Sequence, residues 1–194
     1  MDENNKKYQL LLSASLELFA KFGYKKTTVE DVAATQDMTK GNLYFYVKNK
    51  RDLYEKTIEF ALTQWKNSVS DSVSVDMDVV SGFRTLVIKS IEYIENNKTL
   101  QTILINDPSI FTLSSNEDRF YEINVSARNI LKQILEQGIQ EKVFYPMDVE
   151  HVTEYLFSVY IMFLIKNYVK SDNSSSEKIF SEGLELTIRG LLLK

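Results

Sequence analysis

The sequence contains no cysteine, one histidine and two prolines among its 194 residues. Without cysteine, a disulfide framework and a thiolate metal site are both excluded, and a reducing compartment is the natural location. His151 has no histidine partner, the carboxylates are scattered, and no glycine-rich phosphate loop is present. We therefore predict a protein that is not an enzyme and that needs no metal and no cofactor.

Long apolar runs are also missing. The most apolar stretch, residues 155–165, is well short of the ~20 residues that cross a bilayer. The first ten residues, MDENNKKYQL, are polar where a signal peptide needs a basic start and an apolar run. We expect a cytoplasmic protein without a membrane span.

Few prolines and only six glycines leave few breaks in the chain, and the apolar spacing is that of helices. An all-α fold is predicted. The first helix covers about residues 5–22, with Gly23 as its left-handed cap. A second helix opens at Thr28, which forms a capping-box-like pair with Asp31 and ends near Thr35. A third begins at Thr39 and runs to about residue 47, so the pattern is helix, tight turn, helix.

The net charge of -4 argues against nucleic acid, but its distribution does not. Residues 21–51 contain seven basic and three acidic residues, a local charge of +4 that leaves -8 for the rest of the chain. Such asymmetry is typical of a small nucleic-acid-binding module joined to an acidic domain.

The third helix carries aromatic side chains beside lysines. Leu43 and Val47 are one turn apart and are expected to pack inward. Four other side chains then lie on exposed faces: Lys40, Asn42, Tyr44 and Phe45. In a major groove these groups would contact base edges, a thymine methyl and phosphates. The alternative, that the aromatics fill the core of a small bundle, stays open on spacing alone.

The same segment resembles the recognition segment of the TetR/AcrR family of bacterial repressors. The matching positions are Phe19, Gly23, Tyr24, Thr28, Ala33, Thr39, Gly41, Leu43, Tyr44, Tyr46, Lys50 and Leu53. The resemblance is strong only in the N-terminal quarter of the chain. It departs from the family pattern at Asp37, where the turn usually has glycine, and at Val47, where an aromatic residue is frequent.

The resemblance implies a DNA-binding domain over residues 1–50 and a helical ligand-binding and dimerisation domain over residues 51–194. It implies that eight residues face DNA: Thr28, Thr39, Lys40, Asn42, Tyr44, Phe45, Tyr46 and Lys50. Members of the family bind palindromic operators as dimers, repress, and release DNA when a small molecule enters the C-terminal domain. We therefore expect a ligand-responsive regulator that acts as a repressor.

The C-terminal domain is predicted to contain helices over about residues 50–70, 78–96, 99–106 and 117–141, with a loop over residues 109–116. Its middle helices are rich in apolar and aromatic side chains, which favours a mainly hydrophobic ligand. The candidate ligand-binding residues are Phe60, Trp65, Ile91, Tyr93, Ile103, Phe111, Phe120, Tyr121 and Asn124. The alternative for each of them is that it fills a core.

Residues 155–165 are apolar on every helical face except at Ser158, so this helix has to be covered all round. A homodimer through the last two helices would cover it. The candidate interface residues are Tyr155, Val159, Met162, Phe163, Ile179, Phe180, Leu184 and Ile188. Two alternatives remain: the central helix of a monomeric bundle, and a helical protein-binding adaptor without DNA affinity.

Overall fold

The computed structural model describes residues 3–112, 117–169 and 176–193. The predicted all-α fold is confirmed over these residues. The N-terminal helices are α1 (Glu3–Lys26), α2 (Val29–Ala34) and α3 (Lys40–Leu43). The others are α4 (Lys50–Asp71), α5 (Val79–Asn96), α6 (Lys98–Asn106), α7 (Tyr121–Gln140), α8 (Val149–Leu164) and α9 (Ser176–Leu191). A 3₁₀ turn covers Pro108–Ile110, and a π-helical segment, Ile165–Val169, extends α8.

The caps predicted in the N-terminal segment are confirmed. Thr28 and Asp31 form a capping box, in which the Thr28 hydroxyl accepts from the Asp31 amide at 3.1 Å and the Asp31 carboxylate accepts from the Thr28 amide at 2.9 Å. Thr39 caps α3 by accepting from the amide of Asn42 at 3.2 Å. Asp37 has a φ of 50°, so it adopts the left-handed conformation that the turn requires.

The break predicted at Gly23 is confirmed: Gly23 has φ 76° and ψ 161°, a conformation that favours glycine, and one further helical turn follows it as far as Lys26. Two other predicted boundaries need correction. Regular α3 ends at Leu43 rather than near residue 47, because it is followed by a turn in which the Tyr46 amide donates to the Leu43 carbonyl at 2.9 Å. The helix expected from residue 117 begins at Tyr121, after a turn in which the Asp118 carboxylate accepts from the Phe120 amide at 2.9 Å. Of the loop predicted over residues 109–116, residues 113–116 lie outside the described residues.

The first three helices share a hydrophobic core with the rest of the chain. Leu11, Phe19 and Leu43 are fully buried, and they belong to one cluster with Leu53 and Ile58 of α4. The cluster continues into α6 and α8, and α1 packs against both α4 and α6. Movement of the N-terminal helices is therefore linked by direct packing to α4 and α6.

A second cluster lies at the far end of the molecule, between α5, α7 and α9. Phe144, in the connection between α7 and α8, is buried at its centre. The backbone around it is tied to the chain's C-terminal end, because the Tyr145 amide donates to Leu191 at 3.0 Å and the Leu193 amide to Val143 at 2.8 Å. These bonds fix α9 against the end of α7.

Candidate DNA-binding surface and ligand cavity

The side chains expected to read DNA lie on the surface of the helix-turn-helix. Leu43 and Val47 point into the core, as predicted. Six of the eight predicted residues are exposed: Thr28, Thr39, Lys40, Asn42, Tyr44 and Phe45. Phe45 is 87% exposed, so the alternative that it is a core aromatic is wrong. A large aromatic side chain held in water beside lysines indicates a binding surface rather than a packing role.

Lys40 and Glu30 form an ion pair across α2 and α3, and the Lys40 amine also lies 5.9 Å from the centre of the Tyr44 ring. The hydrogen bond between them lowers the pKa of the Glu30 carboxyl and raises the pKa of Lys40. Both side chains are about half exposed, so the pair is solvated. Glu30 therefore competes for the amine that a DNA base or phosphate would use, a feature that the sequence pattern did not reveal.

Tyr46 and Lys50 differ from the other six predicted residues because their side chains make contacts within the chain. The Tyr46 ring is half-buried and stacks on Tyr8, with ring centres 5.5 Å apart. The Lys50 amine donates to the carbonyl of Lys25 at 3.1 Å and lies 4.6 Å from the centre of the Tyr24 ring. Both residues hold the helix-turn-helix against its neighbours.

A cavity of about 340 Å³ lies between α4, α5, α7, α8 and α9. Its walls are mostly aliphatic and aromatic, with Leu86, Phe157 and Phe180 among them. The polar or charged residues in the lining are Lys66, Ser90, Asn124, Tyr160 and Thr187. The volume is within the range of about 300 to 1,000 Å³ typical of small-molecule pockets.

Three of the nine predicted ligand residues line this cavity: Trp65, Phe111 and Asn124. The indole of Trp65 is held by a 2.9 Å hydrogen bond to the Ser90 carbonyl. The other six predicted ligand residues do not line this cavity: Phe60, Ile91, Tyr93, Ile103, Phe120 and Tyr121. Five of these pack in or against the core, whereas Tyr121 is exposed. Helical spacing separates buried from exposed faces but does not show which buried face borders a void.

Helix α8 contributes cavity-lining residues that the sequence analysis did not identify. Its all-round apolar surface predicted a helix covered by partners, yet one of its faces, with Phe157 and Tyr160, borders the cavity. Burial raises the pKa of the Tyr160 hydroxyl well above its usual range. The spacing of these two aromatics by three residues, on one face of the helix, was the signal available in the sequence.

The residues predicted for the dimer interface separate into two groups. Leu184 and Ile188 are buried in the chain's own second core cluster, and Phe163 and Phe180 are half-buried against each other with ring centres 4.9 Å apart. The prediction for Leu184 and Ile188 is therefore corrected, because both side chains of the final helix pack in the core of the same chain. The remaining residues are exposed apolar side chains on α8 and α9: Tyr155, Val159, Met162 and Ile179, with Leu186 in addition. Val159 and Ile179 also line the cavity, so the rim of the cavity adjoins this surface.

Asp107, at the end of α6, joins the N-terminal helices to the cavity wall. Its carboxylate accepts from the Tyr54 hydroxyl and from Arg119, each at 2.9 Å, and from the Ser109 hydroxyl at 2.6 Å. Burial raises the pKa of Asp107, but these hydrogen bonds outweigh it and hold the pKa below its usual range. The Tyr54 ring meets Phe19 edge-on with centres 5.0 Å apart.

No cluster of histidine and carboxylate side chains suited to a metal ion occurs within residues 3–112, 117–169 and 176–193. Over the same ranges, no helix combines the length and the apolar character needed to cross a membrane.

Comparison with known proteins agrees with this geometry. Residues 11–57 match the family model of bacterial regulatory proteins, tetR family. Over nearly its whole length the chain resembles the HTH-type transcriptional regulator YhgD of Bacillus subtilis (strain 168), with 24% identity over 184 residues, 94% of this chain and 95% of that protein. The fatty acid metabolism regulator protein of the same organism is 22% identical over 193 residues, which cover 98% of each chain.

Solved structures share the fold. The transcriptional regulator FadR from Bacillus subtilis in complex with stearoyl-CoA superposes with a TM-score of 0.75 at 19% identity, covering 95% of this chain and 99% of that one. The expectation that the chain is not an enzyme is confirmed by the family and relatives, which are regulatory proteins. Together with the exposed helix-turn-helix side chains, these matches show that residues 11–57 form a helix-turn-helix segment of the tetR family of bacterial regulatory proteins, in a chain that is similar over nearly its whole length to transcriptional regulators.

Proposed function

We propose that the protein is a repressor that binds a palindromic DNA operator as a homodimer and releases it when a small, mainly hydrophobic molecule enters the cavity between α4, α5, α7, α8 and α9. Residues 1–50 act as the DNA-binding domain, and residues 51–194 bind the ligand and form the dimer. A protein that represses bacterial genes has to reach the chromosome, so a cytoplasmic location is part of the proposal.

The observation that carries the DNA-binding part is the exposed row of Lys40, Asn42, Tyr44 and Phe45 on a capped helix-turn-helix. Lysine and asparagine pair with base edges in the major groove, and an exposed phenyl ring suits a thymine methyl. Lys25, Lys26 and Lys48 are also exposed and supply positive charge for phosphates. A protein-binding adaptor would not need this combination of cations and hydrogen-bonding groups.

Selection of bound sequences from random duplexes would identify the operator, and a salt titration on the selected duplex tests the electrostatic part of the proposal. We expect the logarithm of the association constant to fall linearly with the logarithm of salt concentration, because lysine-phosphate contacts release counterions. A flat salt dependence, or the absence of any selected palindrome, would favour the adaptor instead.

Substitutions in α2 and α3 should separate the recognition of bases from the effect of charge. Asn42→Ala should alter the preferred bases at one position of each half-site, at a cost of about 1 to 3 kcal/mol for a lost bidentate contact. Lys40→Ala should weaken binding, whereas Glu30→Gln should strengthen it, because the ion pair that occupies Lys40 is removed. Fluorescence anisotropy on matched operator variants measures all three. Equal affinities of Glu30→Gln and the unchanged protein would contradict the proposed competition.

The exposed apolar surface on α8 and α9 supports dimerisation. Tyr155, Val159 and Met162 follow one another at helical spacing on α8, and Ile179 and Leu186 extend the surface on α9. A group of exposed apolar side chains of this kind usually marks an interface, and a two-fold axis would bring two such helix pairs together as a four-helix arrangement.

The cavity supports the ligand part of the proposal, and the relatives indicate a chemical class. Its walls are mostly apolar, and similar proteins include a fatty acid metabolism regulator and a structure that contains stearoyl-CoA. We therefore propose that a molecule with a long apolar portion is the inducer. Trp65 is the only tryptophan and lines the cavity, so its fluorescence should change on binding.

Release of DNA is proposed to pass through Asp107. Ile110 and Phe111, which line the cavity, lie three and four residues after Asp107 in the chain, and Tyr54 links Asp107 to Phe19 of α1. A ligand that binds one arrangement of this region better than the other shifts the equilibrium between them.

Tyr54→Phe removes the hydrogen bond to Asp107 but keeps the ring that packs on α1. We expect ligand binding to persist and the ligand-induced loss of operator affinity to change by about 0.5 to 2 kcal/mol, the usual size for residues that transmit coupling. Measuring operator affinity with and without ligand gives this coupling energy. Tyr145→Phe, at an exposed tyrosine far from Asp107 in the chain, is the matched control. The same coupling energy in both variants would contradict a role for the Asp107 hydrogen bonds.

A further inference from the structure

Lys66 distinguishes one part of the cavity wall from the rest. It projects from α4, is half-buried, and is the only ionisable lysine, arginine, aspartate or glutamate among the cavity-lining residues that the structure describes. Its amine donates to the Ser126 hydroxyl of α7 at 3.3 Å, which is a long contact to a neutral group. The positive charge therefore stays uncompensated beside an apolar cavity.

Other cations around the same helices are neutralised. Arg84 pairs with Glu185, Arg128 with Glu154 at 3.3 Å, and Lys132 with Glu150 at 2.5 Å. In contrast, none of the carboxylates within the described part of the chain forms an ion pair with Lys66. Because a half-buried charge is poorly solvated, it favours a partner of opposite sign.

An ammonium group has three donors, and Ser126 uses one of them. The remaining donors are available to a carboxylate or phosphate oxygen at the α4–α7 edge of the cavity. The apolar portion of the same molecule would extend along Leu86, Phe157 and Phe180, which belong to the mostly aliphatic and aromatic walls. Charge and shape are thus complementary to an amphiphile with one anionic end.

We propose that Lys66 is the specificity residue of the cavity and that the ligand is an amphiphile whose single anionic group binds the Lys66 amine. This inference rests on the proposed function for the use of the cavity, and it adds the chemical class of the ligand and the residue that selects it. A neutral molecule of the same length would fill the apolar walls but leave the charge of Lys66 uncompensated.

The test compares dodecanoate with dodecanol, which have the same chain length and differ in the charged group. Binding to the full-length protein without DNA is followed through Trp65 fluorescence, below the micelle-forming concentration of dodecanoate and below the solubility limit of dodecanol. We expect dodecanoate to bind roughly tenfold to a hundredfold more tightly, the range for a hydrogen bond to a charged group. Equal affinities, or no binding of either compound, would overturn the proposal.

Substitutions of Lys66 test whether this residue causes the preference for dodecanoate over dodecanol. Lys66→Met keeps the length of the side chain and should abolish the preference for dodecanoate, while Lys66→Arg should retain it. Lys89→Met, which removes an exposed lysine paired with Glu92 on α5, is the matched control and should behave like the unchanged protein. A preference for dodecanoate that survives Lys66→Met would overturn the assignment. If Lys66→Met does not fold, the comparison of the two compounds on the unchanged protein still decides whether the cavity selects an anion.

Operator release is measured separately, so the two proposals fail differently. Lys66-dependent binding of dodecanoate that leaves the operator bound would contradict ligand-induced release but support the anion site. Release by dodecanol as efficiently as by dodecanoate would support release and contradict the anion site.

Discussion

Met162→Asp is expected to yield a folded monomer that binds the full operator about a hundredfold to ten-thousandfold more weakly than the unchanged protein. The methionine side chain is 49% exposed in the single chain, so a carboxylate there remains hydrated and the fold should persist. In a dimer through α8 and α9 the same carboxylate would be buried without a partner, which is costly. Loss of the dimer removes the gain from binding two linked half-sites, and that gain is the source of the expected range.

Two further variants make this prediction specific. Val75→Asp adds the same charge at a residue that is 98% exposed in the connection between α4 and α5, and it should remain a dimer with unchanged operator affinity. Phe163→Asp differs because Phe163 is half-buried against Phe180, so it should lower the free energy of unfolding as well as disrupt the dimer.

Sedimentation velocity gives the oligomeric state, circular dichroism the fold, and anisotropy the operator affinity. A dimer of Met162→Asp with unchanged operator affinity would show that this part of α8 is not the interface.

Gly138→Ala is expected to destabilise the protein by roughly 2 to 3 kcal/mol, toward the upper end of the range for overpacked cores. A Cβ at this position would overlap the ring of Phe144. The ring has little freedom to move, because Phe144 is 1% exposed and its amide donates to the Gly138 carbonyl at 2.9 Å. The added methyl group therefore has to displace either α7 or the segment that holds α9.

Thermal unfolding measures this effect, and a destabilisation of that size corresponds to a melting temperature lower by roughly 5 to 10 °C. Gly190→Ala is the matched control, since a Cβ there meets no atom within 4 Å and alanine is the better helix former. Its melting temperature should be unchanged or slightly higher. Equal melting temperatures of Gly138→Ala and the unchanged protein would mean that the Phe144 ring has an alternative position in the core.

Local signals in the sequence predicted the helix caps and the buried and exposed faces of the helix-turn-helix. The hydroxyls of Thr28 and Thr39 mark the start of α2 and α3 because each side chain can satisfy a free amide one turn ahead, an interaction within a few residues. The apolar spacing separated buried Leu43 from exposed Phe45 for the same reason, since adjacent residues on a short helix face different directions. Glu30 was missed as the partner of Lys40 because it lies on another helix.

For the C-terminal half, the sequence predicted the helices but not the surroundings of each helix face. Helix α8 is apolar on all sides, and the sequence alone did not show which face meets the core, which the cavity and which the surface. Leu184 and Ile188 looked like interface residues, yet they complete a core around Phe144. Phe120 and Ile103 looked like ligand residues, yet they are buried between helices.

The sequence by itself determined the all-α class, the capped helix-turn-helix and the exposed side chains of its third helix, because these features depend on periodicity and on contacts within a few residues. The tertiary structure decided where the cavity lies, which face of α8 and α9 remains exposed, and that Lys66 carries an uncompensated charge beside apolar walls. Each of these depends on side chains from helices far apart in the chain, and a helical pattern contains no information about which helix will pack against which face.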